Sequence, residues 1–262
     1  MKHKRLHFDL ETSQIIFKGW RTGKQYVGGH QILEPTKIIS VHWKWEGDSE
    51  VQNMDWGLKK QCDKKLLEKF IPIMNQADEI VGHNGDRFDI KWVRTRAMFH
   101  GIPMNHTYNS IDTLKLAKKY LNAHSNSLKE LCKYFGLELK KDPGGIGTWD
   151  AIQFDKSREA LDHLLYYGDG DIVSLEALFN KLLPYVKPNL HYGVLRGGSK
   201  WSCPHCGGDK IHKNQTYTTA AGTIQHYMRC SNKQCDGFQG TYKINNKTYQ
   251  DWLQYKMINN IK

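Results

Sequence analysis

The sequence predicts an α/β layer architecture with a small β-rich module at its C-terminal end. Three observations predict it. Residues 4–45 hold successive β-branched and aromatic runs broken by turn residues, whereas residues 64–185 are dominated by apolar residues at helical spacing. Four of the six cysteines, Cys203, Cys206, Cys230 and Cys235, cluster beyond a glycine-containing stretch.

Residues 4–9 alternate and run into Phe8-Asp9-Leu10-Glu11, a strand ending in a polar stop. Gln14–Trp20 and Lys37–Trp45 are rich in Ile, Val, Phe and Trp and are separated by Gly28, Gly29 and Pro35. They read as further strands of a meander. From Lys64 to Gln76, Leu66, Leu67, Phe70, Ile71 and Met74 recur at helical spacing, so one stripe should face a core. Glu79–Gly82 reads as a short strand, Phe88–Phe99 as a helix and Asn109–Asp112 as another strand. Helices are expected at Thr113–Leu121 and Ser127–Phe135. Lys140–Trp149, with Asp142-Pro143-Gly144-Gly145, reads as a loop, and two helices should follow, around 156–166 and 169–185. There is no internal repeat and no low-complexity segment.

With 39% hydrophobic and 25% charged residues in 262, the chain has the apolar material for a real core, which excludes wholesale disorder. No apolar run approaches the roughly 18 residues that span a membrane. Asp9 and Glu11 follow the basic N-terminus where a secretory signal would need an apolar stretch. A soluble, cytoplasmic protein without a membrane partner is expected. The formal charge is +11. Residues 188–262 hold ten Lys or Arg against Asp209, Asp236 and Asp251, so +7 of it sits there. A polyanion, nucleic acid first, is the expected partner of that region. Cys62 and Cys132 stand alone in helix-like sequence and read as ordinary buried or half-buried thiols.

Asp9 and Glu11 are two apart on a strand, so both side chains project from one face. Adjacent carboxylates repel unless a cation neutralises them, and hard divalent ions take such oxygen ligands. Alone, the pair would more simply be a solvated strand end. It has company. Gly82-His83-Asn84-Gly85-Asp86-Arg87-Phe88-Asp89 turns from a strand into a helix with Asp89 in its first turn. Tyr167-Gly168-Asp169-Gly170-Asp171 places Tyr167 and Asp171 four apart, on one helical face.

Phe8-Asp9-x-Glu11-Thr12, then Asn84-x-x-x-Phe88-Asp89, then Tyr167-x-x-x-Asp171 resembles the three exonuclease motifs of the DEDD superfamily, tyrosine branch. The likeness is greatest to the proofreading exonuclease domains of family B DNA polymerases, and it covers roughly residues 5–186. It implies a ribonuclease H-like mixed sheet flanked by helices. It also implies that Asp9, Glu11, Asp89 and Asp171 bind two divalent cations, Mg2+ or Mn2+, and that Tyr167 positions the attacking water. Two such metals stabilise both the nucleophile and the leaving 3′ oxygen of an in-line displacement. Family positions that touch the substrate strand fall on Leu10, Thr12 and Asn84. The histidine branch is excluded, because the residue five before Asp171 is Tyr166. Asp169 should point off the shared face, Asp86 should serve the turn, Asp112 should cap the following helix, and His83 should be structural.

In the tail, Cys203-Pro-His-Cys206 and Cys230-Ser-Asn-Lys-Gln-Cys235 form two knuckles that resemble a zinc ribbon, the second one longer than usual. Four thiolates close the tetrahedral site of one structural Zn2+. The Thr216–Arg229 stretch between them suits a hairpin.

Three segments are thus expected: a ribonuclease H-like exonuclease domain at 1–187, a linker at 188–200 and a zinc-ribbon-like nucleic-acid-binding module at 201–262. The expected activity is metal-dependent 3′→5′ trimming of single-stranded or frayed 3′ ends, with DNA favoured over RNA. Some 75 residues after the exonuclease region are too few for a polymerase. Proofreading or repair would therefore serve a separate polymerase or replication protein, in trans. Two rivals stand beside this reading: an RNA-trimming or structure-specific nuclease, and a catalytically idle nucleic-acid-binding adaptor. The complete set of four carboxylates and Tyr167 speaks against the adaptor.

Overall fold

The structure, a computed structural model, describes residues 3–105, 107–137, 145–186, 190–195, 197–232, 235 and 241–259. The Asp142-Pro143-Gly144 turn, Pro188, Arg196, Asp236 and Phe238 lie outside the described residues. The chain divides into two compact units, Lys4–Asn180 and Lys181–Lys262 with Met1–His3.

The first unit is built on a five-stranded mixed sheet. Its strands are β1 (Arg5–Thr12), β4 (Ile38–Trp45), β5 (Gln52–Asp55), β6 (Glu79–Gly82) and β7 (Asn109–Asp112), in the order β5-β4-β1-β6-β7. β1 is antiparallel to β4 and parallel to β6, which is parallel to β7. Alternation along β1 splits its two faces. Leu6, Phe8 and Leu10 enter a core with Val41, Trp43 and the stripe of α1 (Lys64–Met74), which buries the five predicted residues Leu66, Leu67, Phe70, Ile71 and Met74. α2 (Asp89–His100) closes that core with Ile90, Val93 and Ala97. Buried Asp63, just before α1, locks these elements together. Arg96 Nε donates to its Oδ2 at 2.6 Å, the Ile38 N–H donates to the same oxygen at 3.0 Å, and His100 Nε2 lies 2.7 Å from Oδ1. Burial pushes the Asp63 carboxyl up, but the Arg96 and His100 hydrogen bonds outweigh it and hold it below its ordinary value.

The opposite face of the sheet packs on α5 (Ile146–Gln153) and α6 (Arg158–Leu182) through Ile39, Trp56, Ile152, Leu161 and Leu164. α3 (Thr113–Tyr120) and α4 (Leu128–Tyr134) complete the unit near their expected bounds. The Asp112 carboxylate accepts from the Leu114 and Lys115 N–H groups, the expected cap.

Four expectations about elements and burial in the first unit need correction. The strand expected over Gln14–Trp20 shrinks to β2 (Ile16–Phe17), which pairs with β3 (Ile32–Glu34) in a separate two-stranded sheet. β1 is already flanked on both sides by β4 and β6, so the central sheet has no free ladder beside it. The two helices expected around 156–185 are one, α6, running through Gly168 and Gly170. Each helical glycine costs about 1 kcal/mol relative to alanine, but a methyl at Gly168 would collide with the His42 imidazole, so close packing on β4 requires that glycine. The expected loop ending at Trp149 is helical from Ile146, within α5. Cys62 is exposed rather than buried, whereas Cys132 is buried as expected.

In the second unit, β8 (Ile211–Thr218), β9 (Ile224–Cys230) and β10 (Thr241–Asn245) form an antiparallel sheet in the order β10-β9-β8. The hairpin expected within Thr216–Arg229 is its β8–β9 pair. α8 (Asn246–Ile258), capped by the Asn245 side chain, places Trp252 against Met228, Ile211 and the cysteines. Part of the stretch expected as linker is helical, α7 (Tyr192–Leu195), and the Tyr192 N–H donates to the Pro204 carbonyl at 2.7 Å. Among the described residues no helix is long and apolar enough to cross a membrane.

Candidate active site and metal centres

The polar face of β1 carries the site. Asp9 and Glu11 leave the strand on the side opposite Phe8 and Leu10, and both are half-buried. α6 crosses this face and brings in Asp171, which is only 4% exposed. One carboxylate oxygen from each of Asp9, Glu11 and Asp171 lies within 4.8 Å of the other two. Three negative groups at that spacing repel strongly in a partly dry site, and a divalent cation removes the penalty.

Asp89 reaches the same place from the end of β6. The turn is tight: a Cβ on Gly82 would meet the Gly85 Cα at 3.1 Å, and Asn84 between them is left-handed at φ 67°. Asparagine is among the residues that tolerate that conformation. The Asn84 N–H donates to Asp112 Oδ1 at 2.9 Å, and the chain then enters α2 with Asp89 first. The Leu10 N–H donates to Asp89 Oδ1 at 3.1 Å, which ties the carboxylate to the strand between Asp9 and Glu11. Asp89 is 2% exposed. Burial first, then the charges of Asp9 and Glu11, push its carboxyl well above the ordinary value, against the pull of the backbone hydrogen bonds.

That shift carries a stability prediction. The folded-state pKa of Asp89 is raised, so without divalent metal its ionisation opposes folding, and the penalty grows as pH rises above the unfolded value of about 3.9. Asp89→Asn keeps the oxygen that accepts from Leu10 and removes the charge. Its melting temperature at pH 7.5, measured without divalent metal by calorimetry, should exceed that of the native chain, and the gain should shrink towards pH 4. A lower melting temperature at both pH values would contradict the repulsion.

Tyr167 stands one turn before Asp171 on α6, half-buried against the cluster of Ile39, Trp56 and Leu164. Asp169 is held by the sheet: it accepts from Asn53 Nδ2 at 2.9 Å and lies 2.8 Å from His42 Nδ1. Of the substrate-contact candidates, Leu10 buries its side chain in the core, Thr12 follows an irregularity in the β1–β4 register, and Asn84 forms the turn described above. His83 is structural, its Nδ1 at 2.9 Å from Thr113 Oγ1 and its Nε2 at 3.0 Å from the Asn126 carbonyl. Asp86 bonds Lys115 and Ser110 rather than acting only within its turn.

Sequence reasoning places a strand at Lys37–Trp45 but does not single out its polar residues Ser40 and His42. Register pairs Asp9 with His42 and Glu11 with Ser40 across β1 and β4, and Ser40 Oγ lies 2.9 Å from His42 Nε2. The available signal was the alternation Ser40-x-His42-x-Lys44 inside an otherwise apolar strand.

The second unit holds a second donor cluster. Sγ of Cys203 lies 3.4 Å from that of Cys235, and Sγ of Cys206 lies 3.8 Å from that of Cys230. A disulfide would need about 2.05 Å. Four sulfurs around a cation at about 2.3 Å stand about 3.8 Å apart, so the cluster fits a tetrahedral metal site. The Gly208 N–H donates to Cys206 Sγ and the Asn232 N–H to Cys230 Sγ, at 3.3 and 3.4 Å. Burial pushes the Cys230 thiol up to about 11 and Cys235 further, each reinforced by neighbouring sulfurs. At Cys206 the hydrogen bonds, led by that from Gly208, outweigh burial and lower it. Such a set is costly as bare thiolates and suits a soft or borderline cation. Cys62, Asp63 and His100 also lie close together. Asp63 is already neutralised there by Arg96, which argues against a cation.

A family model for the RNase_H superfamily matches residues 33–183, more than half of the chain, although its match begins beyond Asp9 and Glu11. No curated protein matches the sequence. Among solved structures, the family B DNA polymerase from the hyperthermophilic archaeon Pyrobaculum calidifontis is similar with a TM-score of 0.54 at 17% identity. The likeness covers 70% of this chain and 25% of the polymerase chain, and at that identity it is a likeness of fold.

Proposed function

The chain belongs to the RNase_H superfamily, whose fold is that of nucleases, and from that premise we propose that it is a metal-dependent 3′→5′ exonuclease. One observation carries the reading: the oxygens of Asp9, Glu11 and Asp171 converge within 4.8 Å, beside a buried Asp89 whose charge Asp9 and Glu11 oppose. Structural ion pairs do not explain such a set, because like charges were gathered where opposite ones would stabilise the fold. Asp9, Glu11, Asp89 and Asp171 would hold two divalent cations, Mg2+ or Mn2+. When bound, these supply an acidified water and charge stabilisation at the phosphate. Tyr167, with an ordinary pKa near 10, is suited to orienting the water rather than deprotonating it. Leu10, Thr12 and Asn84 border the position of the terminal nucleotide.

The proposed substrate is the single-stranded or frayed 3′ end of DNA, in the cytoplasm, with proofreading or repair for a polymerase or replication protein on another chain. The proposed boundaries are 1–187 for the exonuclease domain, 188–200 for the linker and 201–262 for the module. One structural Zn2+ is assigned to the four cysteines. α8 covers one face of the module's sheet, and the other presents Tyr217, Tyr227, Arg229 and Lys243. Lys243 Nζ sits 4.8 Å from the Tyr227 ring centre. Aromatic and basic groups on one open face suit unpaired nucleotides.

The test is degradation of 5′-labelled single-stranded DNA, duplex DNA and RNA with Mg2+ or Mn2+, against chelator. A metal-dependent ladder shortening from the 3′ end of DNA is expected. Internal cuts, or no hydrolysis with either metal, would overturn the reading. Tyr167→Phe deletes only a hydroxyl. It should slow single-turnover cleavage by roughly 10–100-fold, at or below the low end of acid–base effects. An unchanged rate would remove Tyr167 from the chemistry.

A further inference from the structure

Residues 13–37 leave the first unit's central sheet directly after Thr12 and return to it before β4. Their two ends are clamped together: the Ser13 N–H donates to the Lys37 carbonyl, and the Lys37 N–H donates to Ser13 Oγ, each at 2.9 Å. The outgoing strand is also tied to α5, with the Gln14 N–H donating to Gln153 Oε1 at 3.1 Å and Gln14 Nε2 to Asp150 Oδ1 at 2.8 Å. The arm therefore begins two residues beyond Glu11, on the strand that bears two of the site's carboxylates.

The arm is an ordered hairpin. β2 pairs with β3, the Lys18 N–H donates to the Gln31 carbonyl, Gln31 Nε2 returns a bond to the Lys18 carbonyl, and Gln25 Nε2 donates to the Arg21 carbonyl. On this frame Trp20 is 98% exposed and Tyr26 95%. Full exposure of two large rings on a hydrogen-bonded frame is unfavourable unless something covers them. The chemistry of the cover is set by the charges. From Thr12 to Leu33 there is no acidic residue, while Lys18, Arg21 and Lys24 are exposed and enter no ion pair among the described residues.

We propose that this arm clamps unpaired nucleotides of the substrate strand, with Trp20 and Tyr26 stacking on bases and Lys18, Arg21 and Lys24 neutralising the phosphates between them. Aromatic faces accept any base, and interleaved cations follow the backbone, so the clamp holds a strand without reading its sequence. Its place beyond Glu11 directs the strand at the carboxylates, a role that rests on the nuclease reading above. The apolar residues Phe17 and Leu33, also exposed on the arm, would suit a protein partner, but a protein surface gives no reason for the run from Thr12 to Leu33 to lack acids while carrying three cations unpaired among the described residues.

The test measures binding apart from hydrolysis. In an Asp9→Asn background, which keeps the strand intact, Trp20→Ala with Tyr26→Ala is compared with the parent by anisotropy of labelled single-stranded and blunt duplex oligonucleotides, deoxy and ribo. Stacking is worth about 5- to 150-fold in affinity per base, so the pair should weaken single-strand binding at least tenfold and duplex binding far less. Trp20→Phe with Tyr26→Phe should restore it to within about threefold. Replacing Lys18, Arg21 and Lys24 by Ser should flatten the log–log salt dependence by about 0.7 per lost contact, about 2 in all. Unchanged single-strand affinity and slope would overturn the proposal and leave a protein partner as the arm's occupant. Equal losses on single strand and duplex would overturn it too, since paired bases cannot stack on the rings. A failure of the exonuclease reading shows elsewhere, as absent hydrolysis by the native chain while the binding losses persist.

Discussion

Asp9→Asn and Asp171→Asn are each expected to abolish hydrolysis while leaving the fold intact. Both residues lie in the converging triad, and each substitution removes a charged metal ligand without changing side-chain volume. Metal ions at such sites supply several kcal/mol of transition-state stabilisation, and each 1.36 kcal/mol is tenfold in rate. A loss of at least about a thousandfold follows. The metal-free melting temperature should not fall, because the substitution relieves repulsion in the cluster. Retention of more than about a tenth of the rate in either variant, in single-turnover assays with Mg2+ or Mn2+, would show that the triad does not hold the catalytic metal.

The largest stability effect is expected at the cysteine cluster. Cys203→Ser or Cys230→Ser should release the bound metal and unfold the second unit. The core there is small: its buried members besides the cysteines are Ile211, Met228 and Trp252, in one cluster with them. Apparent metal-binding free energies in zinc-finger peptides are about 10–16 kcal/mol, more than a core of this size supplies. Elemental analysis should find one equivalent of zinc in the native chain and none in the variants. Limited proteolysis should then cut within 190–259 and spare Lys4–Asn180. A purified native chain without metal, whose thiols react freely while the unit stays resistant to protease, would rule out the structural metal.

Much of the candidate site was legible because its signals are short-range. A strand places residues two apart on one face, so Asp9 and Glu11 could be paired without a structure. A helix places residues four apart on one face, so Tyr167 and Asp171 could be joined, and Asp169 set aside. The stripe of α1 was legible for the same reason, and its five expected residues are buried. Signals failed where a distant element decided the outcome. Gly168 and Gly170 read locally as a helix break, yet α6 runs through both, and the His42 ring occupies the place a side chain at 168 would need. The Gln14–Trp20 stretch has the composition of a sheet strand, yet both edges of β1 were taken by β4 and β6.

By itself the sequence determined the chemistry: four carboxylates and a tyrosine in three short motifs, four cysteines in two knuckles, and a basic tail. Those follow from residue identity and from periods of two and 3.6, which depend on nothing beyond a few neighbours. Tertiary structure alone decided that Asp171 closes on Asp9 and Glu11 and that Asp89 is buried beside them. It also decided that Ser40 and His42 stand opposite the carboxylates in the β1–β4 register, and that Trp20 and Tyr26 are held outward on an ordered arm. Each of these depends on which strand pairs with which and on which face a helix covers. Such pairings join residues tens of positions apart and are settled by the packing of the whole core, so no local period encodes them.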